Sequence, residues 1–194
     1  MSSALVFDAL AAHAPPRYTA FTLPPYRFVP RRQPHPTADP RGHSYGRAPP
    51  YEAAPMDGHR WRASPAYLFG CDLYNRGYWW EAHEAWESIW QLADREGPER
   101  AALQGLIQLA NCHLKLHMGL VNVVPRLQRR YGAHFDRAVG LVGMPFLGLD
   151  LPAYRSRADA YLHAVTARAD PAHDPVHYPY LRLPVGRSVR SGDR

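Results

Sequence analysis

The chain has 194 residues, of which 46% are apolar, and a formal net charge of +6. That apolar share can build one packed core and excludes disorder throughout, while no apolar run reaches the ~18 residues of a membrane span. Of the 23 basic residues 22 are arginines, scattered apart from Arg126, Arg129 and Arg130, so the charge gives little support to a phosphate-binding surface.

Residues 1–62 hold eleven of the twenty prolines. Runs such as Leu23-Pro24-Pro25-Tyr26 and Pro34-His35-Pro36 impose extended geometry, because proline fixes φ and restricts the residue before it. Tyr18, Phe21, Tyr26, Phe28 and Tyr45 supply aromatic anchors, so the expectation is an extended arm packed on a helical body. Met1 to Asp8 lacks the charged start and long apolar stretch of a signal peptide, which points to a cytoplasmic location. Cys71 and Cys112 stand in no paired spacing and read as buried, reduced thiols.

Helix signals begin at Ser64-Pro65, a capping hydroxyl followed by proline in the first turn. They predict a helix over Pro65–Asn75, closed by Arg76-Gly77, with Tyr67, Leu68, Cys71 and Tyr74 inward. A second helix is predicted over Tyr78–Asp94. At about 100° per residue, its Trp79, Trp86 and Trp90 form one stripe, and His83 and Glu87 sit on the shoulder of that stripe. After Glu96-Gly97-Pro98 a third helix runs over Glu99–Met118. It is apolar around most of its circumference, leaving a narrow stripe of Gln104, Gln108, Asn111 and Lys115, as expected of a central helix. A fourth helix follows over Val121–Val139, and Asp150 caps a fifth reaching about Ala169. The tail from Pro171 reads as extended and partly packed, with a frayed end after Arg187. The predicted organisation is thus an arm (1–62), an all-α domain of about five helices (63–170) and a C-terminal tail (171–194). Its first two helices resemble a tetratricopeptide-like pair, without a second copy at a fixed period.

Three segments in order, Leu73-Tyr74-Asn75-Arg76-Gly77-Tyr78, Trp80-Glu81-Ala82-His83-Glu84-Ala85-Trp86-Glu87 and Leu103-Gln104-Gly105-Leu106-Ile107-Gln108, resemble domain-of-unknown-function family 309, small helical prokaryotic proteins. The resemblance covers about Ala66 to Ala133, with a weaker echo at Phe146–Asp150. Pro34-His35-Pro36 and Gly42-His43-Ser44 look like a subset with a longer N-terminus. The resemblance implies an all-α fold, points at His83, Glu84, Glu87, Gln104 and Gln108, and implies no activity.

The predicted second and third helices are antiparallel neighbours, so His83 and Glu87 can face Gln104, Gln108, Asn111 and Lys115. One reading is a polar pocket for a small polar ligand, with acid–base, hydrolase-like chemistry: His83 or Glu87 as base, Gln104 and Gln108 orienting, and Lys115, the single lysine, pairing with Glu84 or Glu87 or donating a proton. The sharper version adds a divalent metal. His83-Glu84-x-x-Glu87 resembles the zincin helix motif, but a glutamate replaces the second histidine, so that mechanism does not carry over. His83 and Glu87 would then need His35, Asp39 or His43 from the arm. The alternative is a non-catalytic protein-interaction or dimerisation module, in which the polar set is a buried network that fixes helix register. His113 and His117, on an apolar face, read as core residues.

Overall fold

Ser64 opens the helical body as its sequence suggests: its side chain accepts the Tyr67 N–H at 3.3 Å, and Pro65 fills the first turn. The computed structural model describes residues 3–184; the frayed end expected after Arg187 lies outside them. Six α-helices follow one another: α1 (Ser3–His13), α2 (Pro65–Tyr74), α3 (Trp79–Trp90), α4 (Pro98–His117), α5 (Val124–Leu141) and α6 (Leu151–Thr166). Short 3-10 turns lie at Gly58–Ala63 and Val121–Val123, and no strand occurs among the described residues. The class is all-α, and none of these helices is long and apolar enough to cross a membrane.

The end of each helix has a local cause. Gly77, at φ +78°, turns the chain between α2 and α3, and a Cβ there would lie 2.8 Å from the Phe7 ring. The α3 helix stops at Trp90, short of the predicted Asp94, because Arg100 stacks over the Trp90 ring and donates to the carbonyls of Trp90 and Ala93 at 3.0 and 3.4 Å. Those carbonyls are thereby satisfied without another helical turn. Residues 121–123 wind as a 3-10 turn before α5, with Pro125 in the first α-helical turn. Asp150 caps α6 as predicted, accepting the Ala153 N–H at 2.9 Å. The one helix not predicted is α1, whose eleven residues are too uniformly apolar to show a period; it buries Val6, Phe7 and Leu10.

Consecutive helices pack as neighbours, α2 on α3, α3 on α4, α4 on α5 and α5 on α6. Gly70 lets α2 and α3 approach: a Cβ would lie 2.3 Å from Trp86 Nε1, which instead donates to the Tyr67 carbonyl at 3.3 Å. The last turn of α2 carries two fully buried polar side chains that hold extended chain. The Asp72 carboxylate accepts the N–H groups of Tyr18 (2.8 Å) and Thr19 (2.9 Å) and the Thr19 hydroxyl (2.7 Å). Asn75 pairs with the backbone of Leu181, donating to its carbonyl at 2.9 Å and accepting its N–H at 2.7 Å. Both cysteines are buried and free, and burial pushes the Cys71 thiol above the ordinary range and the Cys112 thiol up to about 12.

Candidate functional site

Helical spacing divides the polar residues of α3 between two places. Glu81, Glu84 and Ser88 recur at intervals of three and four, so they share a face. With Phe69 and Leu73 of α2 they line a cleft of about 480 Å³, roofed by residues 22–25, 43–44 and 47–51. Prolines and aromatics make up much of the wall, among them Pro24, Pro49, Tyr51 and Trp80. The polar groups in it are few: Glu81, Glu84, His43, Ser44, Ser88, Arg47 and two threonines.

Glu81 is the buried carboxylate of α3, 6% exposed. Its Oε1 accepts the Phe28 N–H at 2.8 Å and contacts His43 Nε2 at 3.2 Å, so it pins the extended segment to the helix. Its Oε2 is buried without a hydrogen-bond partner among the described residues, an arrangement that protein interiors avoid unless the atom has a use. Glu84, one turn on, is half-buried. Loss of hydration, reinforced by Glu87 and Glu81, pushes its carboxyl up to about 7, so it exchanges a proton near neutrality.

His83 and Glu87 stand on the neighbouring shoulder, as their spacing predicts, but at the protein boundary; their side chains are 32% and 38% exposed and 3.4 Å apart. Burial lowers the His83 pKa, and the Glu87 carboxylate opposes that shift. One ligand atom from each of His83, Glu84 and Glu87 can be chosen so that all three lie within 4.8 Å of one another. A histidine and two carboxylates on successive turns suit a divalent cation with its remaining positions open.

The other expected contributors are elsewhere. Gln104, Gln108, Asn111 and Lys115 form a half-buried stripe on α4, yet among the described residues no hydrogen bond joins Gln104 or Gln108 to His83 or Glu87. The Gln108 Oε1 is itself buried without a partner. Lys115 makes no ion pair with Glu84 or Glu87 among those residues. The arm histidines do not join His83 and Glu87. His43 is drawn to Glu81, the carboxylate that burial has left short of donors. His35 packs edge-on against Phe28 and Trp80, and its Nδ1 accepts the Ala38 N–H at 3.2 Å. Asp39 is held by Arg41. His113 and His117 belong to an aromatic box with Trp79, His173 and Tyr178. There His113 Nε2 meets the Tyr74 hydroxyl at 2.9 Å, and Trp79 Nε1 donates to the Tyr178 hydroxyl at 2.8 Å.

Sequence reasoning missed Glu81, Asp72 and Ser44. Glu81 shares a helical face with Glu84 and Ser88, and that repeat was the available signal; its burial depends on residues far away in the chain.

These features define a small all-helical domain in which a carboxylate-bearing helix is roofed by proline-rich chain. Residues 67–127 match the family described as "Domain of unknown function (DUF309)". No curated protein and no solved structure matches the chain. The matched span contains Glu81, His83, Glu84, Glu87, Gln104 and Gln108, whereas His43 and Ser44 come from chain preceding it.

Proposed function

We propose that the cleft over α3 binds a small ligand with an apolar body and a hydrogen-bond-donating or cationic head, and that Glu84 accepts or returns a proton there. The observation that carries this reading is Glu81 Oε2, buried and unpartnered on a carboxylate that lines a largely apolar cleft. A concave apolar site with a few convergent polar groups, one of them perturbed toward neutrality, is the arrangement expected of a ligand site. Trp80 lines the cleft and reports on its occupancy. Benzylamine and phenethylamine are suitable probes, their binding followed by tryptophan fluorescence and thermal shift. Binding to the wild type, weakened by Glu84→Gln and blocked by Ala48→Trp at the cleft wall, is the expected result. Absence of binding with the whole amine series would sink the reading.

The His83, Glu84 and Glu87 cluster favours a second reading, a divalent metal at the cleft margin, because its ligand atoms already converge. Metal analysis of untagged protein should then find a stoichiometric ion in the wild type and its loss in His83→Ala. Sub-stoichiometric metal in both would remove this version. A purely structural interaction module has less support: the exposed large apolar side chains Leu5, Tyr45, Leu92, Leu120, Leu141 and Val176 come from six separate segments. The buried, free thiols of Cys71 and Cys112 are in keeping with a reducing, cytoplasmic setting.

A further inference from the structure

Three polar side chains that line the cleft, two from its roof and one from α3, are joined in series. Ser44 Oγ lies 2.7 Å from His43 Nδ1, and His43 Nε2 lies 3.2 Å from Glu81 Oε1. All three residues line the cleft. The side chains of His43 and Glu81 are only 4% and 5% exposed, so this contact is shielded from bulk water.

The remaining hydrogen bonds settle the direction of the series. Glu81 Oε1 also accepts the Phe28 N–H, so it is the acceptor in the imidazole contact and His43 Nε2 carries the proton. Nδ1 is then left with its lone pair toward the Ser44 hydroxyl. The Tyr26 ring packs on the imidazole at 4.6 Å between centroids, and the Tyr26 hydroxyl accepts the backbone N–H of His43 at 3.2 Å, which holds the residue in place. A hydroxyl on one imidazole nitrogen and a carboxylate holding the tautomer from the other is the arrangement that activates a serine. Here the two nitrogens have exchanged their usual partners, but proton transfer needs only one nitrogen for each role.

We propose that Ser44, His43 and Glu81 form a nucleophile–base–carboxylate relay that hydrolyses small carboxylic esters held in the cleft. The proposal rests on reading the cleft as a ligand site. Ser44 Oγ adds to the ester carbonyl carbon as its proton passes to His43 Nδ1, and the carbonyl π pair moves onto oxygen. Arg47, which also lines the cleft, supplies positive charge for that oxygen. Collapse of the adduct breaks the bond to the alcohol oxygen, which takes the proton from Nδ1 and leaves an acyl-serine. Water then adds to the acyl carbon, giving a proton to Nδ1; the bond to Ser44 Oγ breaks and Ser44 recovers that proton. The balance is ester plus water to acid plus alcohol, with no further reactant. Glu81 touches neither substrate bond in this scheme and acts as a positioning residue for His43.

The full-length protein is incubated with a fluorophosphonate probe and mapped by mass spectrometry, and 4-nitrophenyl acetate hydrolysis is measured in parallel. A single adduct on Ser44 is expected. Ser44→Ala should remove the adduct and slow hydrolysis by about 100-fold or more. His43→Ala should lose a similar factor and be partly rescued by added imidazole, a readout that a merely structural role would not move. Thermal melts of each variant separate loss of chemistry from loss of fold. An adduct elsewhere, or an undiminished rate in Ser44→Ala, overturns the relay. If benzylamine binds while the wild type shows neither adduct nor hydrolysis above buffer, the relay falls and the ligand site stands; if nothing binds either, both fall.

Discussion

Replacing Asp72 by asparagine tests how the extended N-terminal chain is held. The carboxylate is fully buried and accepts three hydrogen bonds from residues 18 and 19. Arg17 and Arg76 each approach it at 3.9 Å. Asparagine keeps the shape but offers an NH2 where one carboxylate oxygen accepted, so a donor must face a donor. The half-buried Arg76 guanidinium, whose pKa burial lowers while Asp72 supports its charge, also loses its counter-charge. Hydrogen bonds to a charged group are worth about 1.5–3 kcal/mol each, and removing one partner of a buried pair costs about 3–5 kcal/mol. The expected loss is therefore about 4 kcal/mol, a large part of the ~5–15 kcal/mol that stabilises a typical domain. With a urea m-value of about 2 kcal/mol/M, the unfolding midpoint should fall by roughly 2 M. Trypsin cleavage after Arg17 and Arg27 should also accelerate, since the freed segment opens before the helices do. A midpoint within a few tenths of a molar of the wild type would refute this account of the arm.

Other outcomes follow from the buried titrating groups and the tight helix contact. Burial depresses the pKa of His173 from 6.5 to about 3 and that of His117 to about 4, and holds His113 well below its usual range. These histidines are neutral when folded, so the unfolded chain takes up more protons below pH 6.5 and stability falls as the pH drops from there toward 3. His173 alone contributes about 1.4 kcal/mol per pH unit; urea midpoints at pH 7, 6 and 5 should decline, and flat values would contradict the box. For Glu84 the sign reverses: its folded pKa is raised from 4.5 to about 7, so its charge opposes folding as the pH rises through that interval. Glu84→Gln should raise the melting temperature at pH 8 and leave it little changed at pH 5, and equal shifts at both values would count against the burial argument. Gly70→Ala should place a methyl against the Trp86 indole and cost about 1–3 kcal/mol, read as a drop of about 2–4 °C in melting temperature per kcal/mol; an unchanged melt would mean α2 and α3 do not approach as described.

The helices were legible because their signals are local. Ser64-Pro65, Gly97-Pro98 and Asp150 mark starts within a few residues of where the helices begin, and the tryptophan stripe of α3 follows from helical spacing alone. The partners of the polar residues were not legible, because burial decides them and burial is set over long separations. Glu81 gains Phe28 and His43 from 53 and 38 positions away. Before those contacts are known, Glu81 differs from Glu84 only by position on the wheel. Pairing the helix stripes brought His83 and Glu87 toward Gln104 and Gln108 on paper, but the arm, and not α4, supplies the cover for the α3 carboxylates. Asn75 reads in the sequence as the last residue of a helix and is also the clamp on Leu181, a contact across 106 positions that no local pattern encodes.

The two clamps at the end of α2 also impose an order on biosynthesis. A chain emerging N-terminus first has residues 18 and 19 available as soon as Asp72 is made, and that contact can close early. Asn75 must stay hydrated until Leu181 appears, 106 positions later. The Trp79 box is equally incomplete until then, because Tyr178 and His173 arrive with the same late segment. Between those two points the nascent protein has its arm docked and an open aromatic cavity beside α3. That interval ends only when His173 and Tyr178 close over Trp79.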